Sequence, residues 1–384
     1  MPARRTAILG NLLLAGFAVV FVALALEAAF RWVPALLPAG AYGAGRRDPE
    51  LRMNVHGTRI LYNKADYLVR TPNRDGFMDV DHARAKPPGV VRVGFFGDSY
   101  VESVQVPLED VFFRRLAERG GPALETFGFG ISGWGTLHAF EAWKVLAPRY
   151  DLDAAYYVFV ENDLGDNALE IGGRRGPSDS KPFAELADAP PGYRVEWARP
   201  PGDAPWWRGI AKWLQHHSLL AHVVYERAAQ LRAYGVSMRK SRANADMTSA
   251  AGAVPDANDL ASTWPRPYAE RAQQLGERML ADWKRAADAR GTPLAVLYVP
   301  RAEDQLTGAL PAGDTWLPWL RATCAKLGLP LVDPSGALLA RVREGERVYL
   351  DHWTPSGHEA IAQALADHLA TWRADVAALR AQDR

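Results

Sequence analysis

Five short apolar runs set the frame of this chain. They are Val91 to Phe96, broken only by Arg92, then Ala123 to Phe127, Ala154 to Val160, Pro293 to Val299 and Leu329 to Val332. Short runs of this kind, closed by glycine or polar residues, predict buried strands. Between them the apolar spacing changes to that of a helix. Leu108 to Arg119 carries Val111, Phe112 and Leu116 on one side, and Thr136 to Leu146 carries Leu137, Phe140, Trp143 and Val145. Ser356 to Ala370 reads as a closing helix, with Ser356 and Glu359 spaced as a capping box. Strands alternating with helices imply a three-layer α/β/α sandwich around a mostly parallel, five-stranded sheet.

The amino terminus has a different pattern. From Thr6 to Leu26 the only strongly polar side chain is Asn11, preceded by Arg4 and Arg5. That length matches the roughly 20 apolar residues a helix needs to cross a bilayer, and the arginines favour a cytoplasmic start. Residues 1–5 read as a cytoplasmic tail and 6–30 as a transmembrane anchor, with everything after Ala35 outside the cytoplasm. A cleaved signal peptide is the competing reading; its apolar stretch would be shorter and end in small residues. Here Glu27, Phe30, Arg31 and Trp32 follow, which resembles an interfacial end. Arg31, Arg46 and Arg47 weaken the charge asymmetry.

Residues 31–90, rich in Pro, Gly and charge, read as a juxtamembrane linker and lead-in, and 373–384 as a tail. Between 168 and 268 the strand–helix alternation stops. This segment reads as an insertion over the carboxyl ends of the strands, where open α/β sheets place their ligands. It holds Trp197, Trp206, Trp207, Trp213 and Trp264, expected mostly to pack and otherwise to stack on sugar rings or line an acyl pocket. Ala243 to Asn258, biased to Ala, Asp and Asn, reads as a mobile loop.

Composition removes several function classes. Of 384 residues, 45 are Lys or Arg and 44 Asp or Glu, so no global field favours nucleic acid. One cysteine, Cys324, excludes an internal disulfide and a cysteine-built metal site. His216, His217 and His222 lack the i, i+4 pair of a zinc-protease helix and are expected on a helix surface. No metal or cofactor is expected.

Four segments carry candidate chemistry. The first strand runs into Gly97-Asp98-Ser99, a turn that lifts a hydroxyl to the end of the sheet. Gly128-Phe129-Gly130-Ile131-Ser132-Gly133-Trp134-Gly135 follows the second strand and opens a helix, where backbone can approach closely and negative charge is favoured. Glu161-Asn162-Asp163 follows the third strand; an amide there can donate to an oxyanion, or cap a turn. Asp351-His352 precedes the last helix. Each segment alone is more often a plain turn or cap.

Together, in this chain order, they resemble the SGNH/GDSL hydrolase superfamily, whose four blocks carry Ser, Gly, Asn and His. The resemblance covers roughly 91–372, leaves the insertion unmatched, and implies the flavodoxin-like fold of that family. The anchored amino terminus is also similar to a bacterial, membrane-anchored subgroup. The resemblance implies Ser99 as nucleophile, His352 as its base, and an oxyanion hole from the N–H of Ser99, the N–H of Gly133 and the amide of Asn162. His358 falls inside the last helix, and Gly357 stands five residues after His352, as the family pattern asks.

Two positions depart from that pattern. The acid usually found three residues before the histidine is replaced by Tyr349, and Asp351 stands next to His352 instead. Adjacent residues in extended chain point oppositely, so Asp351 needs a kinked backbone to orient His352; a backbone carbonyl, another carboxylate or no acid are the alternatives. Val160 stands where glycine is common. The expected activity is that of an esterase or O-acyltransferase working through an acyl-serine, with an acetylated cell-envelope or exported polysaccharide as substrate, at the inner membrane with its catalytic domain in the periplasm. Envelope polysaccharide machinery is a possible partner. The rival expectation is a catalytically weak fold of the same type serving binding or assembly in that system.

Overall fold

The computed structural model describes residues 2–64, 67–168, 171, 181–197, 206–228, 231, 255–309 and 313–382. They divide into two compact units. The larger comprises 45–58, 70–202 and 249–384, and the smaller 1–44, 59–69 and 203–248.

The larger unit is built on a five-stranded sheet of β1 (Val91–Gly97), β2 (Leu124–Gly130), β3 (Ala154–Phe159), β4 (Leu294–Tyr298) and β5 (Leu331–Val332). Their order is β5-β4-β3-β1-β2, and every pairing is parallel. Successive side chains of a strand face opposite sides, and here both sides are apolar. Phe96, Phe129 and Tyr157 meet Phe140, Trp143 and Trp283 on one face; Phe95, Tyr156 and Val158 meet Phe112, Phe113, Ile361 and Leu365 on the other. The first set of helices is Thr136–Tyr150, Arg266–Arg290 and Leu317–Leu327; the second is Phe112–Gly120, Ser335–Arg343 and Pro355–Gln382. The three layers are those expected. The chain leaves β1 for β2 on one side and later returns to β3 on the other. The crevice at the carboxyl ends of β1 and β3 is therefore a topological switch point, the usual ligand position in such sheets.

Arg92, the one break in the first apolar run, is fully buried. Its Nε donates to Glu125 at 2.7 Å, and its two terminal nitrogens donate to the carbonyls of Ala83, Arg84, Ala85 and Tyr150 at 2.8–3.0 Å. It thereby stitches the lead-in to the sheet.

Several expected boundaries move. Residues 45–58 and 70–90 are not a linker: Leu51, Met53, Val55 and Phe77 belong to the first core. The expected helix from Leu108 splits into a 3-10 turn, Leu108–Asp110, and the helix Phe112–Gly120, because Val111 is extended and buried. The second strand continues past Phe127 to Gly130, since Gly128 makes room for the ring of Phe113 rather than a turn. The capping box at Ser356 does not form. Ser356 donates to Glu346, Glu359 pairs with Arg115 and Arg119, and Thr354 accepts the N–H of Gly357 at 3.3 Å. The last helix runs on through the expected tail to Gln382.

The expected insertion does not form one body. Its hairpin, Pro182–Leu186 against Tyr193–Trp197, belongs to the larger unit, where Ala184 and Tyr193 pack with Leu137, Leu275 and Met279. Trp264 is buried edge-on to Trp316, and Trp197 lies under the guanidinium of Arg52. Residues 243–254 and the side chains of Trp206 and His216 lie outside the described residues.

In the smaller unit the helix Pro2–Trp32 contains a 23-residue segment, Gly10–Trp32, long and apolar enough to cross a membrane and exposed along its length. Its carboxyl end is tied down. Glu27 accepts from the hydroxyl of Ser218 at 2.8 Å and from the N–H groups of Leu219 and Leu220, and Arg31 reaches both Glu27 and the carbonyl of His217 at 2.7 Å. Phe30 and Leu219 pack on a small core of Leu37, Tyr42, Leu61 and Val223. His222, expected on a surface, is buried edge-on to Tyr42, while exposed His217 stacks on Trp213.

Arg92→Leu is expected to destabilise the larger unit by about 3–5 kcal/mol, because Glu125 and four carbonyls lose their charged donor. Urea denaturation of the full chain in detergent, with intrinsic fluorescence as readout, checks this.

Candidate active site

β1 ends at Gly97, and the next residues turn at once into a one-turn helix, Ser99–Glu102. Asp98 caps that turn: its carboxylate, buried and 2% exposed, accepts the N–H of Tyr100 at 2.9 Å. The turn is possible because two glycines leave space for it. A β-carbon on Gly97 would lie 2.9 Å from Val101, and one on Gly130 would lie 2.7 Å from the carbonyl of Asp98 and 2.8 Å from the N–H nitrogen of Glu102. Gly97 pairs with Gly130 in the sheet, so the turn Asp98–Glu102 sits directly on the end of β2.

His352 comes from the far end of the chain. The backbone folds back on itself between Tyr349 and Trp353, which form a β-bridge, and Leu350 donates its N–H to the carbonyl of His352 at 3.0 Å. This turn aims the imidazole at Ser99, with Nε2 2.7 Å from Oγ. The ring rests on Tyr100, centroid to centroid 4.6 Å, and Tyr100 in turn lies against buried Trp353. The same turn supplies the kink that Asp351 requires: its Oδ2 lies 3.4 Å from His352 Nδ1. That is an ion-pair distance, longer than the usual 2.7–3.2 Å of an N–H···O bond, and the Asp351 side chain is 44% exposed. Tyr349, at the position of the missing acid, is committed to the core and donates its hydroxyl to the carbonyl of Pro300.

His358 is not a rival base. It is fully buried, its Nδ1 accepts the N–H of Phe112 at 3.3 Å, and burial pushes it down to about 3.

The two backbone donors expected to hold an oxyanion are those of Ser99 and Gly133. Gly133 sits at φ +76°, a conformation that favours glycine, and its carbonyl is held by Lys181 Nζ at 2.7 Å. The N–H groups of Ser99 and Gly133 have no acceptor among the described residues. Asn162, directly after β3, is differently engaged from the expectation. Its amide donates to Asp166 at 3.1 Å and, at 3.4 Å, to Asp98. The second contact is long, so that hydrogen is the one able to turn toward an anion arriving next to Ser99.

The carboxylates around Asn162 were not singled out by the sequence. Burial raises Asp98 to about 6, an effect eased by the Tyr100 N–H and the nearby His352. Burial, with Asp98 as neighbour, holds Asp163 well above the usual carboxylate range, and its Oδ2 accepts from the Tyr157 hydroxyl and the Val160 N–H. Asn167 accepts the N–H of Leu137 at 2.9 Å and donates to Thr136, capping the helix after the glycine loop. The only trace of these roles in the sequence is the run of polar residues after β3. Among the described residues no group of His, Cys, Asp and Glu is placed to hold a metal ion.

The arrangement provides a serine hydroxyl 2.7 Å from an imidazole nitrogen. Ser99 is expected to react with a fluorophosphonate probe, and Ser99→Ala to give no labelling. His352→Ala is expected to slow labelling by about 10²–10⁴-fold. Asp351→Asn, at a half-exposed 3.4 Å contact, is expected to slow it only about tenfold, against the ~10⁴-fold that loss of a fully engaged triad acid costs. Intact-mass spectrometry over a time course measures all three.

No protein-family model matches the sequence, and no curated protein matches it. Solved structures that the chain resembles include a member of the lipolytic protein G-D-S-L family from Veillonella parvula DSM 2008, at 10% identity and TM-score 0.38, covering 72% of this chain and 97% of that one. Another is the acetyl xylan esterase AlAXEase, at 11% identity and TM-score 0.39, covering 73% of this chain and all of that one (100%). A third is a carbohydrate acetylesterase family member from Sinorhizobium meliloti, at 12% identity and TM-score 0.35, covering 73% and 98%.

Proposed function

We propose that this chain is a serine esterase of the SGNH/GDSL type that works through an acyl-serine intermediate. The observation that carries the reading is the 2.7 Å contact between Ser99 Oγ and His352 Nε2. In this reading His352 Nε2 takes the hydroxyl proton as Oγ bonds to the ester carbonyl carbon. The carbonyl oxygen becomes an oxyanion held by the N–H groups of Ser99 and Gly133, with an amide hydrogen of Asn162 turning in from Asp98. Asp351 steadies the imidazolium. The tetrahedral intermediate collapses, the C–O bond to the alcohol breaks, and His352 returns the proton to the departing oxygen. A second nucleophile then gives its proton to His352 and attacks the acyl carbon; the bond from that carbon to Ser99 Oγ breaks, and His352 returns the proton to Oγ. Water makes the chain an esterase; a sugar hydroxyl makes it an O-acyltransferase.

The substrate class follows from the sequence resemblance: an acetyl group on a cell-envelope or exported polysaccharide, met outside the cytoplasm. Retention of the amino-terminal helix as an anchor is favoured by its integration into the smaller unit. Removing it would strip Ser218, Leu219 and Leu220 of the Glu27 carboxylate.

Full-length protein in detergent is expected to release acetate from acetylated glycans, and Ser99→Ala to abolish release with an unchanged circular dichroism spectrum. Equal turnover by the two proteins would end the esterase reading. Release only when an acceptor sugar is present would establish transfer over hydrolysis.

For topology, a reporter fused after Arg384 is expected to be active only on the outer side of the membrane, with the mature chain retaining residues 6–26 by mass spectrometry. Cytoplasmic reporter activity would reverse the orientation.

A further inference from the structure

The open donors of Ser99 and Gly133 belong to different segments, the one-turn helix Ser99–Glu102 and the loop 131–135. Donors to an oxyanion must hold their spacing closely, since misplacement by about 1 Å can cost on the order of 10²-fold in rate. The loop is pinned at Trp134, which is buried and donates its N–H to the carbonyl of Ile131, and at the Gly133 carbonyl by Lys181, but not at Ser132 itself. Gly133 is a glycine at positive φ, and Ser132 is exposed. Glu102 bridges the two segments. It is the last residue of the nucleophile helix and is 4% exposed. Its Oε2 accepts the hydroxyl of Ser132, and its carboxylate also accepts the Ser132 N–H. Its Oε1 lies 2.5 Å from Nε2 of His56, on the strand Asn54–His56. A buried carboxylate is stable only when both oxygens are engaged, and here each oxygen has one partner.

We propose that Glu102 is a positioning residue for the oxyanion site: oriented by His56, it fixes Ser132 and thereby sets the distance of the Gly133 N–H from Ser99. The proposal rests on the esterase reading and deepens it. Ser132 is the informative position, because Ser132→Ala removes one donor to Glu102 and no packed apolar side chain. In full-length protein, Ser132→Ala is expected to lower kcat about tenfold and Glu102→Ala about 100-fold, with KM for a small acetyl ester nearly constant. Glu102→Gln is expected to recover most of the loss, since its amide can still accept from Ser132 and donate to His56. Hydrogen exchange of residues 131–135 is expected to quicken in Ser132→Ala and Glu102→Ala and to stay at the wild-type rate in His352→Ala.

Wild-type kcat in both Ser132→Ala and Glu102→Ala, with any loss confined to thermal stability, would overturn the proposal. So would unaltered exchange of the loop in Glu102→Ala, a result that holds even if the wild-type protein cleaves no ester. The esterase reading is judged separately, by fluorophosphonate labelling of wild-type Ser99.

Discussion

The contact on which the site depends is the one between Gly130 and the turn that follows β1. Gly97 and Gly130 are opposite each other at the last rung of the sheet. Because neither has a side chain, Asp98 through Glu102 can lie on the end of β2, with the carbonyl of Asp98 and the backbone nitrogen of Glu102 where a β-carbon of residue 130 would be. A larger residue at 130 would push the nucleophile turn off the sheet. That displacement would move Ser99 Oγ from His352, the Ser99 N–H from the Gly133 N–H, and Glu102 from Ser132. Backbone packing at one pair of glycines thus governs distances that otherwise belong to three separate loops.

The second constraint is electrostatic. Asp98, Glu102, Glu161, Asp163 and Asp166 are all buried near the carboxyl ends of the strands. Burial alone disfavours each charge, and the structure answers with different partners. Glu102 has His56 and Ser132 and is held below the usual carboxylate range. Glu161 accepts from the Trp316 N–H and the Tyr298 hydroxyl, which only partly offset its burial, so it is raised. Asp98 and Asp163, whose hydrogen bonds only partly offset their burial, are raised. Asp98 Oδ2 lies 3.4 Å from Ser99 Oγ, and the neighbouring His352 eases the burial of its carboxylate.

Much of this was legible because it is repeated in the chain. Period-two pairs such as Phe95-Phe96 and Tyr156-Tyr157 announce strands buried on both faces, and Ser99, Gly133, Asn162 and His352 each follow a strand or precede a helix. What could not be read depends on pairs far apart in sequence. His56 and Glu102 are 46 residues apart, and Arg92 reaches back to 83–85 and forward to 125 and 150. Nothing local marks such partners, so 45–58 and 70–90 read as linker although Leu51, Met53, Val55 and Phe77 lie in the core. The failed capping box is the reverse case. The local spacing of Ser356 and Glu359 is right, but Arg115 and Arg119 compete for Glu359 and leave Thr354 to cap the helix.

The amino-terminal helix shows the same interplay of local pattern and distant partner. By apolarity the segment extends to Trp32, yet Glu27 and Arg31 lie within it. An ionised carboxylate facing lipid is costly, on the order of 2.5–3.5 kcal/mol at mid-membrane for an acidic side chain. Glu27 is instead engaged on all sides, by Arg31 and by the hydroxyl and N–H donors of 218–220. Those donors are the open start of a helix, which favours an anion. The last turn of the amino-terminal helix is therefore a structural part of the smaller unit.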